Sequence, residues 1–209
     1  MVYGSLSEAQ SDWIPDGTWR GAIVWGLPLP DEVVDELDDG PTPKYAQTYR
    51  EWNRRLDDIA NEAEACLFAH GLRAHAIPAS KVVDHSRQRA EASHRHLAAS
   101  LGMGWIGKHG LLATLKWGAA LRLVTVLVDR PIVSSPKLSF GGCGSCWECV
   151  DACPVSALNP PVTAETLTRC WKLLKKHERN PDIGYQICGI CIKACRDAIN
   201  KGCNDTGIL

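Results

Sequence analysis

The sequence has no long apolar run. Its hydrophobic stretches fall short of the ~20 residues a membrane helix needs, so neither a spanning helix nor a membrane partner is expected. It also lacks the basic, apolar and small-residue succession of a secretory signal, since "MVYGSLSEAQSDW" is polar and turn-like. Nor does one charge sign dominate: 23 Lys and Arg face 24 Asp and Glu. That balance argues against the broad basic footprint of a general nucleic-acid binder. Phe and Met are scarce at two each, whereas Trp reaches eight. Trp joins a large apolar body to one N–H donor, which suits ordinary packing and the shielding of a cofactor alike. Hydrophobic residues make up 45% of the chain, enough to bury a core.

Local patterns outline an α+β front. "GAIVWGLPLP" (Gly21–Pro30) is apolar and β-branched until prolines stop it, as a strand would be. "GPTPKY" starts a helix, with Thr42 as cap and Pro43 at the first position, where a missing N–H costs nothing. Tyr45, Tyr49, Trp52, Leu56, Ile59, Ala63 and Cys66 recur at helical spacing, which predicts one buried face, and Gly71 is the expected stop. Further strands are expected over Leu72–Ser80, Leu111–Leu115 and Ala119–Asp129, and a helix over Glu91–Leu101. The Pro/Ser/Gly stretch "DRPIVSSPKLSFGG" is the expected domain boundary, separating an α+β domain (1–137) from a cysteine-rich module (138–209).

Nine of the ten cysteines lie from Cys143 onward. In the reducing cytoplasm, the expected location, clustered cysteines bind metal or do redox chemistry rather than form disulfides. Cys143, Cys146, Cys149 and Cys153-Pro154 spell C-x2-C-x2-C-x3-C-P, the bacterial ferredoxin run for a [4Fe–4S] cluster. Three thiols at this spacing wrap one cubane, and the fourth starts a new element and serves a second cluster. The second group is Cys188, Cys191 and Cys195, with Cys170 standing in for the missing first position on a helical face with Leu167, Trp171 and Leu174. The predicted sets are Cys143, Cys146, Cys149 and Cys195 for one cluster, and Cys153, Cys170, Cys188 and Cys191 for the other. Structural zinc is the competing reading of paired C-x2-C, although it has no use for the third cysteine at the same spacing followed by C-P. Arg196 follows Cys195 where a ferredoxin has Pro, and Cys203 is left over. Trp147 and Trp171 are either shields for the clusters or ordinary packing.

"GMGWIGKHG" (Gly102–Gly110) contains G-x-G-x-x-G, but the expected helix precedes it and a strand follows, the reverse of a dinucleotide fingerprint. Lys108 directly follows Gly107 without Walker A spacing. Two readings remain: a tight helix-to-strand turn, or a backbone laid against a flat ligand with Trp105 and Lys108 at hand.

"HLAASLGMGWIGKHGLL", then "WGAALRLVTVLVDRPI" and the two cysteine groups, resembles the epoxyqueuosine reductase family, and above all its short iron–sulfur relatives. "GLPLP", "GPTPKY" and "IPAS" extend the likeness over most of Gly21–Arg196. The resemblance implies a nitroreductase-like, cobalamin-binding front domain beside a ferredoxin-like domain with two [4Fe–4S] clusters. It also implies Gly102, Gly104, Trp105, Gly107 and Lys108 as cofactor-binding residues. The family's catalytic Asp precedes the glycine loop, and the nearest counterpart here is Asp84, offset by a few residues, with His85 and His94 as rival proton donors.

The expected function is therefore a cobalamin-dependent iron–sulfur reductase acting on a small molecule or on the corrinoid itself. Its electrons would come from an external donor such as a ferredoxin or flavodoxin. The alternatives are a non-catalytic electron-transfer protein serving a partner corrinoid protein, and a corrinoid carrier whose clusters only set the cobalt redox state. The family's helical-repeat region that grips tRNA has no counterpart in these 209 residues, so tRNA is not an expected partner.

Overall fold

The computed structural model describes residues 1–84, 89–136, 140–158 and 163–202, the side chains of Asp84 and Arg89 excepted. The chain forms two compact units, neither contiguous in sequence. The first comprises Met1–Leu27, Glu51–Met103 and Arg122–Leu138, and the second Pro28–Arg50, Gly104–Leu121 and Ser139–Leu209. This division differs from the expected blocks 1–137 and 138–209, because residues 28–50 and 104–121 group with the cysteine-bearing segment.

A four-stranded sheet in the order β1-β2-β8-β3 organises the first unit. Its strands are β1 (Val2–Ser5), β2 (Gly21–Pro28), β3 (Ala74–Ile77) and β8 (Leu121–Val128). β1 runs antiparallel to β2, with Val2 opposite Val24, and β3 runs antiparallel to β8, with Ala76 opposite Val126. A short helix α1 (Asp31–Val34) follows β2, and the long helix α2 spans Pro43–Ala69. Thr42 caps α2 as the sequence predicts, its Oγ1 accepting from the Tyr45 amide at 3.1 Å. The helix ends at Gly71, where the Leu72 amide reaches back to the Leu67 carbonyl.

Leu56 and Ala60 of α2 bury against Val124 and Val126 of β8, with Ala63 and Leu67 continuing the contact. Each fully buried Leu or Val here contributes about 1.5–3 kcal/mol. The buried face is thus rotated from the one expected, because the sheet receives the stripe through residues 56, 60, 63 and 67. Ile59 and Cys66 sit to one side of that stripe and are exposed. Between β3 and β8 come a small pair, β4 (Val82–Asp84) and β5 (Arg89–Ala90), and helix α3 (His94–Ser100).

In the second unit the glycine-rich segment forms a miniature hairpin. β6 (Trp105–Ile106) pairs with β7 (Leu112–Ala113), so a strand lies inside the stretch expected to be a plain loop. Helices α4 (Glu148–Asp151), α5 (Ala164–Glu178) and α6 (Ile190–Asn200) carry the cysteines or flank them. Among the described residues no helix is long and apolar enough to cross a membrane.

Candidate metal centre

Cys143 and Cys146 lie in a tight loop before α4, where the Cys146 amide bonds the Cys143 carbonyl at 3.0 Å. Cys149 sits within α4 and is buried, and Cys153 closes the turn after it. α4 packs against α6, the helix that carries Cys191 and Cys195. All nine described cysteines are free of disulfides.

The thiols fall into two electrostatic neighbourhoods. Burial pushes Cys195 up to about 12, and Cys149, Cys143 and Cys146 stand near enough to raise it further. Cys149 is pushed up to about 11 by burial, reinforced by Cys143 and Cys146. Cys170, raised first by burial, feels Cys188 and Cys153. Cys191 is raised by burial and then by Cys188, Cys170, Cys149 and Cys153, so it also looks toward the first group.

Each neighbourhood has N–H donors aimed at sulfur. The Trp105 indole N–H points at Cys143 Sγ at 3.3 Å, and the Ala119 amide donates to Cys195. On the other side the Ala157 amide approaches Cys153 Sγ at 3.3 Å, and the Ile190 amide serves Cys188. Thiols buried together resist ionising, yet these donors favour the anionic sulfur, and coordination to a metal deprotonates a thiol outright. Among the described residues no three His, Cys, Asp or Glu side chains are grouped to hold a single metal ion. Cysteine thiols with N–H donors at their sulfurs suit a thiolate-ligated metal centre.

The glycine hairpin is built onto the cysteine loop. Lys108 Nζ donates to the carbonyls of Gly144 at 2.9 Å and Cys146 at 2.7 Å, and lies 4.0 Å from the Trp147 ring centroid. Gly104 lies so close to β7 that a Cβ there would fall 1.9 Å from the Ala113 carbonyl oxygen. Trp105, Leu111 and Ile192 pack around Ala113, Ala119 and Cys195. Gly118 adopts φ +52 and lies against the backbone of Cys195 and Arg196.

Arg196, which stands where a ferredoxin has Pro, fastens α6 to α1. Its buried guanidinium reaches Asp31 at 2.9 Å, Asp35 at 2.5 Å and Asp197 at 2.7 Å. Lys193 adds contacts to Asp38 at 3.0 Å and Asp197 at 2.9 Å.

The other expected site residues are placed as follows. Asp84 ends β4, but its side chain, like all of His85 and Cys203, lies outside the described residues. His94 is a poor proton donor, because Thr125 Oγ1 holds its Nδ1 at 2.8 Å and the Pro78 carbonyl holds its Nε2 at 3.2 Å. Burial drops its pKa to about 4. Gly102 closes the turn after α3, its amide bonded to the Ala99 carbonyl at 3.0 Å, and Gly107 lies against the His109 ring. Trp147 and Trp171 are 47% and 36% exposed, whereas Trp105 is the tryptophan that touches a cysteine sulfur. Residues 105 and 143 are too far apart in sequence for spacing to signal that contact. On α5, Leu167 and Trp171 are exposed, at the rim of the helical face that carries Cys170.

No protein-family model matches the chain. Curated relatives do. The chain is 28% identical over 202 residues to an epoxyqueuosine reductase of Pseudomonas aeruginosa, covering 90% of this chain and 53% of that protein. It is 36% identical over 169 residues to one from Xanthomonas campestris, covering 76% of this chain and 44% of that protein.

This chain is a homologue of the epoxyqueuosine reductases.

It spans about half the length of the curated relatives it matches. Solved structures agree at the level of the fold. A reductive dehalogenase described as B12-dependent superposes with TM-score 0.69 at 17% identity, over 92% of this chain and 29% of that one. An epoxyqueuosine reductase solved with an epoxyqueuosine-modified tRNA-Tyr stem loop superposes with TM-score 0.52 at 22% identity, over 90% of this chain and 50% of that one. The fold is thus a mixed α and β arrangement shared with both kinds of reductase, in keeping with the α+β class expected.

Proposed function

We propose that this protein is an iron–sulfur oxidoreductase with two [4Fe–4S] clusters, one on Cys143, Cys146, Cys149 and Cys195 and the other on Cys153, Cys170, Cys188 and Cys191. The observation that supports the reading is the proximity of thiols from the two motifs. Cys195 lies among the thiols of the first motif, and Cys153 lies near Cys170 and Cys188 of the second group. When bound, the clusters supply one-electron transfer. The protein's own part is to keep the sulfurs from water and to aim Trp105, Ala119, Ala157 and Ile190 N–H groups at them, which favours the more negative, reduced charge state.

The acceptor in this proposal is a cobalamin, supported by the likeness to a B12-dependent dehalogenase fold. Trp105 donates to Cys143, Lys108 donates to the Gly144 and Cys146 carbonyls, and Gly104 is held against Ala113, so these residues serve the cysteine loop rather than a corrinoid. The substrate is a small molecule or, as for the relative solved with it, an epoxyqueuosine-modified tRNA. The reducing cytoplasm is the setting in which such thiols stay available for iron.

Anaerobic reconstitution with iron, sulfide and cobalamin, followed by metal analysis and EPR under reduction, tests this. About eight iron per chain are expected for two four-iron clusters, together with a change in the corrinoid spectrum. Replacing Cys153 with Ala should remove the cluster built on Cys170, Cys188 and Cys191. Loss of the cluster built on Cys143, Cys146 and Cys149 alone, or about four iron in the unaltered protein, would overturn the assignment.

A further inference from the structure

Helix α5 brings Cys170 to the centre and also has an outward side on which two kinds of residue are segregated. Leu167 and Trp171, one helical turn apart, are 52% and 36% exposed. Lys172, Lys176 and Arg179 recur at steps of four and three, so they form one exposed stripe along the same helix. The acidic residues of this element are already engaged. Glu165 pairs with Arg169 at 2.7 Å, while Glu178 pairs with Lys175 at 3.4 Å and accepts from Gln186 at 3.0 Å. The outward side of α5 is therefore apolar beside Cys170 and positive beyond it, on a chain whose overall charge is only −1.

We propose that the outward side of α5, with Leu167 and Trp171 at its apolar edge and Lys172, Lys176 and Arg179 at its positive edge, docks an acidic one-electron carrier protein. This rests on the two-cluster reading, because it takes the Cys170 set as the place where electrons arrive. The reduced carrier loses one electron and the cluster gains it, with no bond made or broken. Exposed Leu and Trp give a carrier a small apolar contact, and the lysine stripe steers an acidic partner at long range, which raises association rates and makes them salt-dependent. An RNA backbone would also be drawn to the stripe. The apolar edge beside a cluster-facing cysteine and the nearly neutral whole favour a protein.

The test is stopped-flow reduction of the anaerobically reconstituted protein by reduced flavodoxin, an acidic carrier, across a range of ionic strength. The double variant Lys172→Glu with Lys176→Glu should slow the second-order rate about tenfold or more and flatten its salt dependence. Leu167→Ser should slow it by a few fold without changing the salt slope. Reduction by dithionite should be the same in all three proteins, which shows that the clusters are intact. If the clusters assemble but flavodoxin reduces the charge-reversed protein as fast as the original, the docking surface is refuted and the two-cluster reading stands. If iron does not assemble at all, both fall. If the charge reversal leaves flavodoxin untouched but weakens binding of a tRNA stem loop, the stripe is a nucleic-acid surface and the proposal is overturned.

Discussion

Replacing Trp105 with Phe isolates one bond at the candidate centre. Phe keeps an aromatic body against Ala113, Ala119 and Cys195 and lacks the indole N–H that points at Cys143 Sγ from 3.3 Å. A hydrogen bond to sulfur stabilises the reduced cluster more than the oxidised one, because the sulfurs carry more negative charge after the electron arrives. A single bond has a net worth of about 0.5–1.5 kcal/mol, and only the difference between redox states counts. For one electron ~1.4 kcal/mol corresponds to ~59 mV, so losing the bond should lower the midpoint of that cluster by a fraction of its worth, at most about 60 mV. Iron content and the other cluster's midpoint should not move. An EPR-monitored redox titration of both proteins reads both values. An unchanged midpoint would show that the indole does not engage the sulfur, and an upward shift would refute the direction of the argument.

Two further predictions concern packing and protons. In Gly118→Ala the new Cβ would lie 2.7 Å from Arg196 Cα and 2.8 Å from its amide N, at φ +52. Backbone atoms cannot yield as a side chain tip does, so left-handed strain and overpacking together should cost about 2–5 kcal/mol. Iron retention after desalting and the thermal midpoint should both fall, and normal values for both would argue against this contact. Burial holds the His94 pKa at about 4, against the opposing hydrogen bond to the Pro78 carbonyl. The unfolded chain takes up this proton below about 6.5 while the folded chain refuses it, so stability is full above that pH and drains as pH falls toward 4. The slope is ~1.4 kcal/mol per unit and the total about 3 kcal/mol. Hydrogen exchange in α3 and β8 at pH 7 and 4.5 should show the loss, and His94→Gln should reduce it. An identical slope in the variant would exclude His94 as the source.

The local features were legible because their causes are local. Thr42 and Pro43 start α2 and Gly71 stops it, since caps and stops act within one turn. The strand at β8 could be read from its β-branched run. What spacing misjudged was rotation about a helix axis. Cys66 follows the same periodicity as Leu56, but the sheet meets α2 one residue further round. Amphipathic periodicity narrows the buried face only to within a residue or so; the neighbour that covers it decides the rest. Arg196 looked like a lapse from the ferredoxin pattern until the structure placed Asp31 and Asp35, 165 and 161 residues away, around its guanidinium.

By itself, the sequence determined the cysteine spacings, which gather Cys143, Cys146 and Cys149 into one short segment because seven consecutive residues cannot separate widely. It also determined the order of the longer elements β2, α2, β3, α3, β8 and α5, and enough likeness to the reductases to name the relatives. Only the tertiary structure decided that the glycine hairpin serves the cysteine loop, that residues 28–50 and 104–121 belong with that loop, and that Arg196 ties α6 to α1. These are contacts between segments distant in the chain. They are set by which surfaces pack and which charges find partners, and no local propensity encodes them.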